Sequence, residues 1–418
     1  MEVSKFGKKI AAASGISLLM EDLGAAMARD NNILMLGGGN PAHIPAIQQQ
    51  LRNSMARLLA GDRGFERAVG NYDPPQGNSE FIDAICKLLN DQFGWGITPK
   101  NIALTNGSQS AFFILFNIFA GEFDSGVKKK ILLPLAPEYI GYCDVGLTKD
   151  LFVAIRPEIR EIDKHIFKYH IDFDRIEIGS EIGAICLSRP TNPTGNVLTD
   201  PELEKLAHLA RANDIPLIID NAYGTPFPNI IFTHARPVWN EQTIVCMSLS
   251  KLGLPGTRTG IVIAREEVAR MVCRVNAVIS LAPGSLGAAI VTDLVRTGRI
   301  LTLSREIIQP FYRKKAEKAV ESLENELDGL DFHLHKPEGA IFLWLWLKNL
   351  PISSAELYQR LKNRGVLVVP GHYFFPGLTE KWRHKDECIR ISYAQDEQTV
   401  HRGLKIIAEE VKNAYHAT

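Results

Sequence analysis

A chain of 418 residues that is 45% hydrophobic and 22% charged is long enough for two domains and has the composition of an ordinary water-soluble protein. Lys plus Arg equals Asp plus Glu at 47 each, so no charge excess points to nucleic acid or an anionic membrane, and a small-molecule substrate held by local charges is expected. The six cysteines are scattered, with no C-x-x-C pair and no metal-ligand spacing, which predicts reduced buried thiols, no metal and a cytoplasmic protein.

The N-terminal stretch MEVSKFGKKIAAASG has basic residues but only a short apolar piece, so it is not expected to be a signal peptide. Residues 16 to 28 repeat apolar positions at three and four, which predicts a short helix. From about 100 to 265 the apolar runs IALT, ILLPL, AICLS, PLIID, TIVCM and GIVIA recur, separated by polar or helical stretches such as PELEKLAHLARAND (201–214). Continuous apolar strands alternating with helices predict an α/β fold with a mainly parallel sheet covered on both faces. Beyond 303 the character changes to a helix over 304–327, the run AIFLWLWL (340–347), a helix in SAELYQRLKNRG, and strands in VLVVP and CIRISYA. AIFLWLWL is far too short to span a bilayer. A final helix carries Val400, Leu404, Ile407 and Val411 on one face, with Asp396 as its cap. The expected organisation is an arm and small-domain segment over 1–45, a large domain over 46–303 and a smaller α+β domain over 304–418.

In open α/β sheets ligands bind beyond the carboxyl ends of the strands, so the residues after each apolar run deserve inspection. They are Asn106-Gly107-Ser108-Gln109, Pro137-Glu138-Tyr139, Arg189 to Gly195 with Asn192, Asp220 with Asn221 and Tyr223, and Ser248, Ser250 and Lys251 followed by Arg258. Taken singly, each has an ordinary explanation: Gly107-Ser108 as a strand-to-helix turn, NPTG as a β-turn, Asp220 as a cap, Lys251 and Arg258 as solvated charges. Together they describe one ligand, a flat, phosphorylated heteroaromatic aldehyde that condenses with a lysine. The helix start at Gly107, Ser108 and Gln109 offers N–H groups to a phosphate, and Ser248, Ser250 and Arg258 add hydroxyls and a cation. Tyr139 stacks on the ring, Asp220 keeps a ring nitrogen protonated, and Asn192 and Tyr223 reach a ring oxygen. Lys251, brought to the end of a buried strand near a second cation, loses its preference for the charged form and becomes the nucleophile that forms the Schiff base. Pyridoxal 5'-phosphate (PLP) has all of these features.

The motifs LGGGNP (36–41), YDPPQG (72–77), TNGSQS (105–110), APEY (136–139), NPTG (192–195), DNAY (220–223), SLSK (248–251) and CIRIS (388–392) occur in one order. In that ordered series the chain resembles the fold-type I PLP-dependent aminotransferases over nearly its whole length. The resemblance implies that Arg390 binds the substrate carboxylate with help from Asn192, and that Gly38 and Gly39 line the side-chain pocket. It also implies that Tyr72 reaches the phosphate in the partner subunit's site, which makes the active unit a homodimer with shared sites. The loop KLGLPGTR is one residue shorter than the common pattern, and EFIDAI replaces the usual Leu-Arg after Gly77 and its neighbours. With LTNGSQSAFF, PLAPEYIGY, SRPTNPTGNV, HKPEGAIFLWLW and VVPGHYFFPG, these departures are similar to the valine–pyruvate branch of the family. That similarity implies the reaction L-valine + pyruvate = 3-methyl-2-oxobutanoate + L-alanine. The alternatives are an aminotransferase of different substrate range or a PLP-dependent carbon–sulfur β-lyase. A PLP-binding regulator is not expected, because LGGGNP begins at residue 36 and leaves no room ahead of it for a DNA-binding domain.

Overall fold

The computed structural model describes residues 2–12, 15, 17, 21–22, 24 and 33–416, so the helix expected over 16–28 lies for the most part outside the described residues. The N-terminal segment contributes β1 (Leu34–Met35). The chain then forms β2 (Ile102–Asn106), β3 (Gly121–Glu122), β4 (Lys128–Leu133) and β5 (Phe152–Ala154), followed by a hairpin of β6 (Glu158–Glu161) and β7 (Ile166–His170). Next come β8 (Ile182–Ser188), β9 (Leu217–Asp220), β10 (Thr243–Ser248) and β11 (Thr259–Ile263). The C-terminal part carries β12 (Phe332–His335), β13 (Phe342–Leu347), β14 (Val366–Leu367), β15 (Val369–Pro370) and β16 (Cys388–Ser392).

All six apolar runs between 100 and 265 are strands of one sheet, in the order β2-β11-β10-β9-β8-β4-β3, with β5 also beside β4. The strands β10, β9, β8, β4 and β5 are parallel to one another, whereas β11 runs antiparallel to both β10 and β2. Every residue of β8 is buried, as its unbroken apolar sequence requires of a strand covered on both faces. The register sets Ser188 beside Asp220 and Asp220 beside Cys246, so the carboxyl ends of β8, β9 and β10 finish at nearly one level. The helix expected from 201 is Asp200–Ala212, started by a capping box in which Thr199 Oγ accepts from Glu202 N–H while the Glu202 carboxylate accepts from Thr199 N–H.

A second sheet has the order β15-β16-β13-β12-β7-β6. The C-terminal runs form it together with the hairpin β6–β7, a mid-chain contribution that pairs in parallel with β12. VLVVP divides into two strands, β14 pairing with β1 and β15 with β16, so the N-terminal segment is tied to the C-terminal part. The helix expected from 304 opens as a π-helical turn, Ser304–Ile308, and becomes α-helical over Gln309–Glu326. Pro310 accounts for the change, since its ring supplies no N–H and crowds the carbonyl one turn back. The last helix, Glu397–His416, buries Val400, Leu404, Ile407 and Val411, and Asp396 Oδ1 accepts from Thr399 N–H at 2.9 Å.

The contact that sets β8 against its covering helix leaves no room for a side chain. A Cβ on Gly183 would lie 1.7 Å from the carbonyl oxygen of Phe119, the last residue of the helix Ser108–Phe119. Gly183→Ala is therefore expected to lower stability by about 1–3 kcal/mol, the usual cost of overpacking, read as a lower midpoint in chemical denaturation.

Candidate active site

Beyond the ends of β2, β8, β9 and β10 lies a cleft of about 410 Å³, whose lining includes Gly38, Gly39, Ser108, Gln109, Tyr139, Asn192, Asp220, Tyr223, Ser248, Ser250, Lys251, Arg258 and Arg390. Fourteen of the fifteen residues singled out from the sequence belong here: those thirteen, and Gly107, which packs against Arg258. The fifteenth, Tyr72, does not line this cleft and is 84% exposed on the surface of the chain.

Lys251 follows β10 in a 3-10 turn over Ser250–Leu252. Its Nζ donates to Gly39 O at 2.6 Å and lies 5.2 Å from the centre of the Tyr223 ring. Burial brings the Lys251 pKa down to about 8; the charge of Arg390 adds to the fall, and Asp220 opposes it. Asp220 closes β9, accepting from Tyr142 OH at 2.8 Å through Oδ2 and from Ala222 N–H at 3.0 Å through Oδ1. Burial pushes its pKa up to about 6, against those two hydrogen bonds and the Lys251 charge.

At the other end of the cleft, Gly107 caps the helix Ser108–Phe119 with a positive φ of 83°. A Cβ there would stand 2.3 Å from a guanidinium nitrogen of Arg258. Arg258 itself has a φ of 51°, a left-handed conformation that ends the short loop from Lys251 and folds the guanidinium back over the helix start. Ser248 Oγ donates to Ser250 Oγ at 3.0 Å beside it. Gln109 is tied down by its own Nε2, which donates to Gly141 O at 2.8 Å, so its backbone N–H is what it offers the cleft.

Arg390 comes from β16 of the second sheet. It donates to Asn192 Oδ1 at 2.6 Å and to Gly37 O at 2.7 Å, and its guanidinium carbon sits 4.0 Å from the centre of the Phe342 ring and 5.1 Å from that of Phe374. Burial lowers its pKa to about 10, and its buried Nε has no hydrogen-bond partner. A buried guanidinium whose two terminal nitrogens each donate once and keep a second N–H suits a carboxylate.

The class I and II aminotransferase family model matches residues 31–407. The chain belongs to the class I and II aminotransferases. It is 51% identical over 415 residues, 99% of each chain, to the valine–pyruvate aminotransferase of Escherichia coli K12. A solved putative amino-acid aminotransferase of Psychrobacter arcticum superimposes with a TM-score of 0.97 at 50% identity and 100% coverage of both chains. The valine–pyruvate aminotransferase of Salmonella typhimurium does so with a TM-score of 0.89 at 51% identity, covering 96% of this chain and 100% of the other. The family is PLP-dependent, and so is this aminotransferase. The residues present fit PLP. Gly107 leaves a hollow under Arg258 that any side chain would fill, Lys251 can present a neutral amine, and the Asp220 carboxyl is near enough for the two charges to act on each other.

The motif reading passed over several contributors. Tyr142 holds Asp220, Gly37 joins Gly38 and Gly39 by taking a hydrogen bond from Arg390, and Phe342 and Phe374 flank that arginine. Tyr142 has a signal in APEYIGY, an aromatic residue three after Tyr139. The carbonyl of Gly37 and the two phenylalanines carry none. Among the described residues no helix is long and apolar enough to cross a membrane, and no group of three or more His, Cys, Asp or Glu could hold a metal ion.

Two measurements follow from this geometry. Because its amine turns neutral above about 8, Lys251 in PLP-free protein should react with an amine-specific acylating reagent between pH 8 and 10, where a lysine of pKa 10.5 is still charged. Below pH 8 its rate should fall about tenfold per pH unit as the ammonium form takes over. Gly107→Ala strains a positive φ and displaces the Arg258 guanidinium, and should weaken PLP binding at least about tenfold in an absorbance titration.

Proposed function

We propose that this aminotransferase exchanges the amino group between L-valine and pyruvate, giving 3-methyl-2-oxobutanoate and L-alanine, as a cytoplasmic homodimer that carries PLP on Lys251. The observation that carries the reading is the identity of 51% over 99% of the chain with a valine–pyruvate aminotransferase, together with the arrangement of the cleft.

When bound, PLP supplies an electron sink for the charge left when the α-proton of the substrate departs. Gly107, Ser108 and Gln109 offer backbone N–H groups to its phosphate, joined by Ser248, Ser250 and Arg258, with Tyr72 of each chain serving the other subunit's phosphate. Tyr139, which lines the cleft, would offer its aromatic face to the ring. Asn192 uses its Oδ1 for Arg390, so its Nδ2 is the atom that donates to the ring oxygen, where Tyr223 also donates. Asp220 would hold a proton on the ring nitrogen, since a carboxylate there favours the charged ring. Lys251 would take the α-proton and deliver it to C4', the exocyclic carbon of the cofactor, a task suited to an amine that is about half neutral near pH 8.

The substrate range follows from where the charges are. Arg390 and Asn192 take the α-carboxylate. Met35, Gly38, Gly39 and Ile140 leave the side chain an apolar, uncharged pocket, in which valine gains roughly 25 cal/mol per Å² of apolar surface buried. Alanine enters with less binding energy. Aspartate would place a second carboxylate among these groups, at a desolvation cost of several kcal/mol unless a further cation met it.

The test is a panel of amino acids mixed singly with the PLP-loaded enzyme, following conversion to the pyridoxamine form. Valine and alanine should convert it, with aspartate far slower. Fastest conversion by aspartate or an aromatic amino acid would overturn the substrate assignment, and release of pyruvate and a free thiol from cystathionine without conversion would mark a lyase. Lys251→Ala should lower turnover at least about a thousandfold, near 4 kcal/mol, and in the parent enzyme borohydride should fix PLP to the peptide containing Lys251. Asp220→Asn should slow the half-reaction at least about tenfold.

A further inference from the structure

Behind Asp220 lies a second carboxyl group that the transfer reaction as described does not use. Glu138 is 1% exposed and does not line the cleft. Its Oε1 accepts from Ser188 N–H at 2.8 Å, and its Oε2 lies 2.6 Å from Ser188 Oγ and 3.3 Å from Tyr139 N. Ser188 Oγ is 3.3 Å from Tyr142 OH, which donates to Asp220 Oδ2 at 2.8 Å. The oxygens form an unbroken line from Glu138 through Ser188 and Tyr142 to Asp220.

Counting protons along that line decides its direction. Tyr142 has one hydroxyl proton and gives it to Asp220. An ionised Glu138 could only accept, so Ser188 would turn its single proton to Glu138. Ser188 Oγ and Tyr142 OH would then face each other with no proton between them. A protonated Glu138 donates from Oε2 to Ser188, Ser188 donates to Tyr142, and Tyr142 donates to Asp220. Every contact is filled, every donor points toward Asp220, and bonds aligned in this way polarise one another.

The surroundings agree with the protonated form. Burial pushes Glu138 up to about 8; donation by Ser188 to an ionised form opposes the rise, and the neighbouring Asp220 carboxylate adds to it. The other titratable groups that feel Glu138 are Tyr142 and Cys186, both pushed up by burial and so uncharged near neutral pH.

We propose that Glu138 is a positioning residue, a neutral acid that heads a one-way hydrogen-bond relay through Ser188 and Tyr142 and so keeps Asp220 ionised and aimed at the cofactor's ring nitrogen. The proposal rests on the reading of Asp220 as the partner of that nitrogen. A neutral acid here also avoids placing two carboxylates side by side in a buried site, where only one of them has a role that needs its charge.

The test compares E138Q, whose side-chain N–H can still donate to Ser188, with E138A, which removes the head of the relay. PLP affinity and the ¹⁵N chemical shift of ring-labelled PLP are measured in each. E138Q should keep the Kd within about threefold of the parent and the ring nitrogen protonated, while E138A should weaken the Kd about tenfold. In E138A the ring nitrogen should also lose its proton about one pH unit lower. Infrared spectra of PLP-free protein at pH 7 should show a carboxylic C=O band that E138Q abolishes and Asp220→Asn retains. Absence of that band overturns the proposal even if E138A fails to fold. So does an E138Q that shifts the ring nitrogen and the Kd as far as E138A, or an E138A that shifts neither. If the band is present but Asp220→Asn leaves the ring nitrogen protonated, the role of Asp220 fails and the relay loses its target, a result distinct from a charged Glu138.

Discussion

A lysine amine whose pKa is drawn down to about 8 at the carboxyl end of a buried strand is the constraint on which the other features depend. An exposed Lys251 would be charged throughout the neutral range and a poor nucleophile. Burial and the charge of Arg390 remove that preference, and Asp220 limits how far the fall goes. The strand that delivers the lysine must itself be buried, which is why every residue of β10 is enclosed and why helices cover both faces of its sheet. The same enclosure raises Asp220, and the hydrogen bonds from the Tyr142 hydroxyl and the Ala222 amide oppose the rise. Each hydrogen bond around these groups compensates a desolvation that the enclosure imposes.

The Arg390 end of the cleft joins parts of the chain that are far apart in sequence. Arg390 belongs to the second sheet, Asn192 to the turn after β8, and Gly37 to the N-terminal segment. The backbone from Gly37 to Gly39 links the two working ends of the site, since Gly37 O receives Arg390 and Gly39 O receives Lys251. A side chain would be tight at Gly37 alone, with open space at Gly38 and ordinary contact at Gly39. A Cβ on Gly37 would meet the Val368 carbonyl at 3.1 Å, and one on Gly39 would stand 3.8 Å from Lys251 Nζ.

The turn that presents Asn192 is fixed from behind by a buried ion pair. Lys168, on β7, donates to Asn196 Oδ1 at 2.8 Å and to Val197 O at 3.0 Å, and it pairs with Glu338, whose Oε2 also accepts from Val197 N–H at 3.1 Å. Gly195 in the same turn has a φ of 72° and packs against the Gly339 carbonyl. Removing one partner of such a pair would leave an uncompensated buried charge, typically a loss of about 3–5 kcal/mol. The hairpin β6–β7 therefore supports the turn that carries Asn192 into the cleft although neither of its strands reaches it.

The six strands of the first sheet were legible in the sequence because a strand covered on both faces has to be apolar along its whole length, a property each run carries by itself. The row of polar residues at the ends of those runs was legible for a related reason: in this architecture the strand ends are where chemistry collects, and Asp220 closes its strand while Lys251 and Asn192 stand three and four residues beyond theirs. Local patterns also located the last helix and its cap at Asp396. Pairing partners were a different matter. That β11 runs antiparallel, that β6–β7 joins the second sheet and that VLVVP divides between two partners depend on register and packing, which no single run encodes. The same holds for the carbonyl of Gly37 under Arg390, the Lys168–Glu338 pair, and the line from Glu138 to Asp220. Their members lie tens to hundreds of residues apart, and what each does is set by the one neighbour its buried polar atom finds. The sequence by itself determined which segments would be buried and which chemistry stood at their ends; the tertiary structure decided which buried polar groups met, because a hydrogen bond depends on position to within a fraction of an ångström and hydrophobic burial does not.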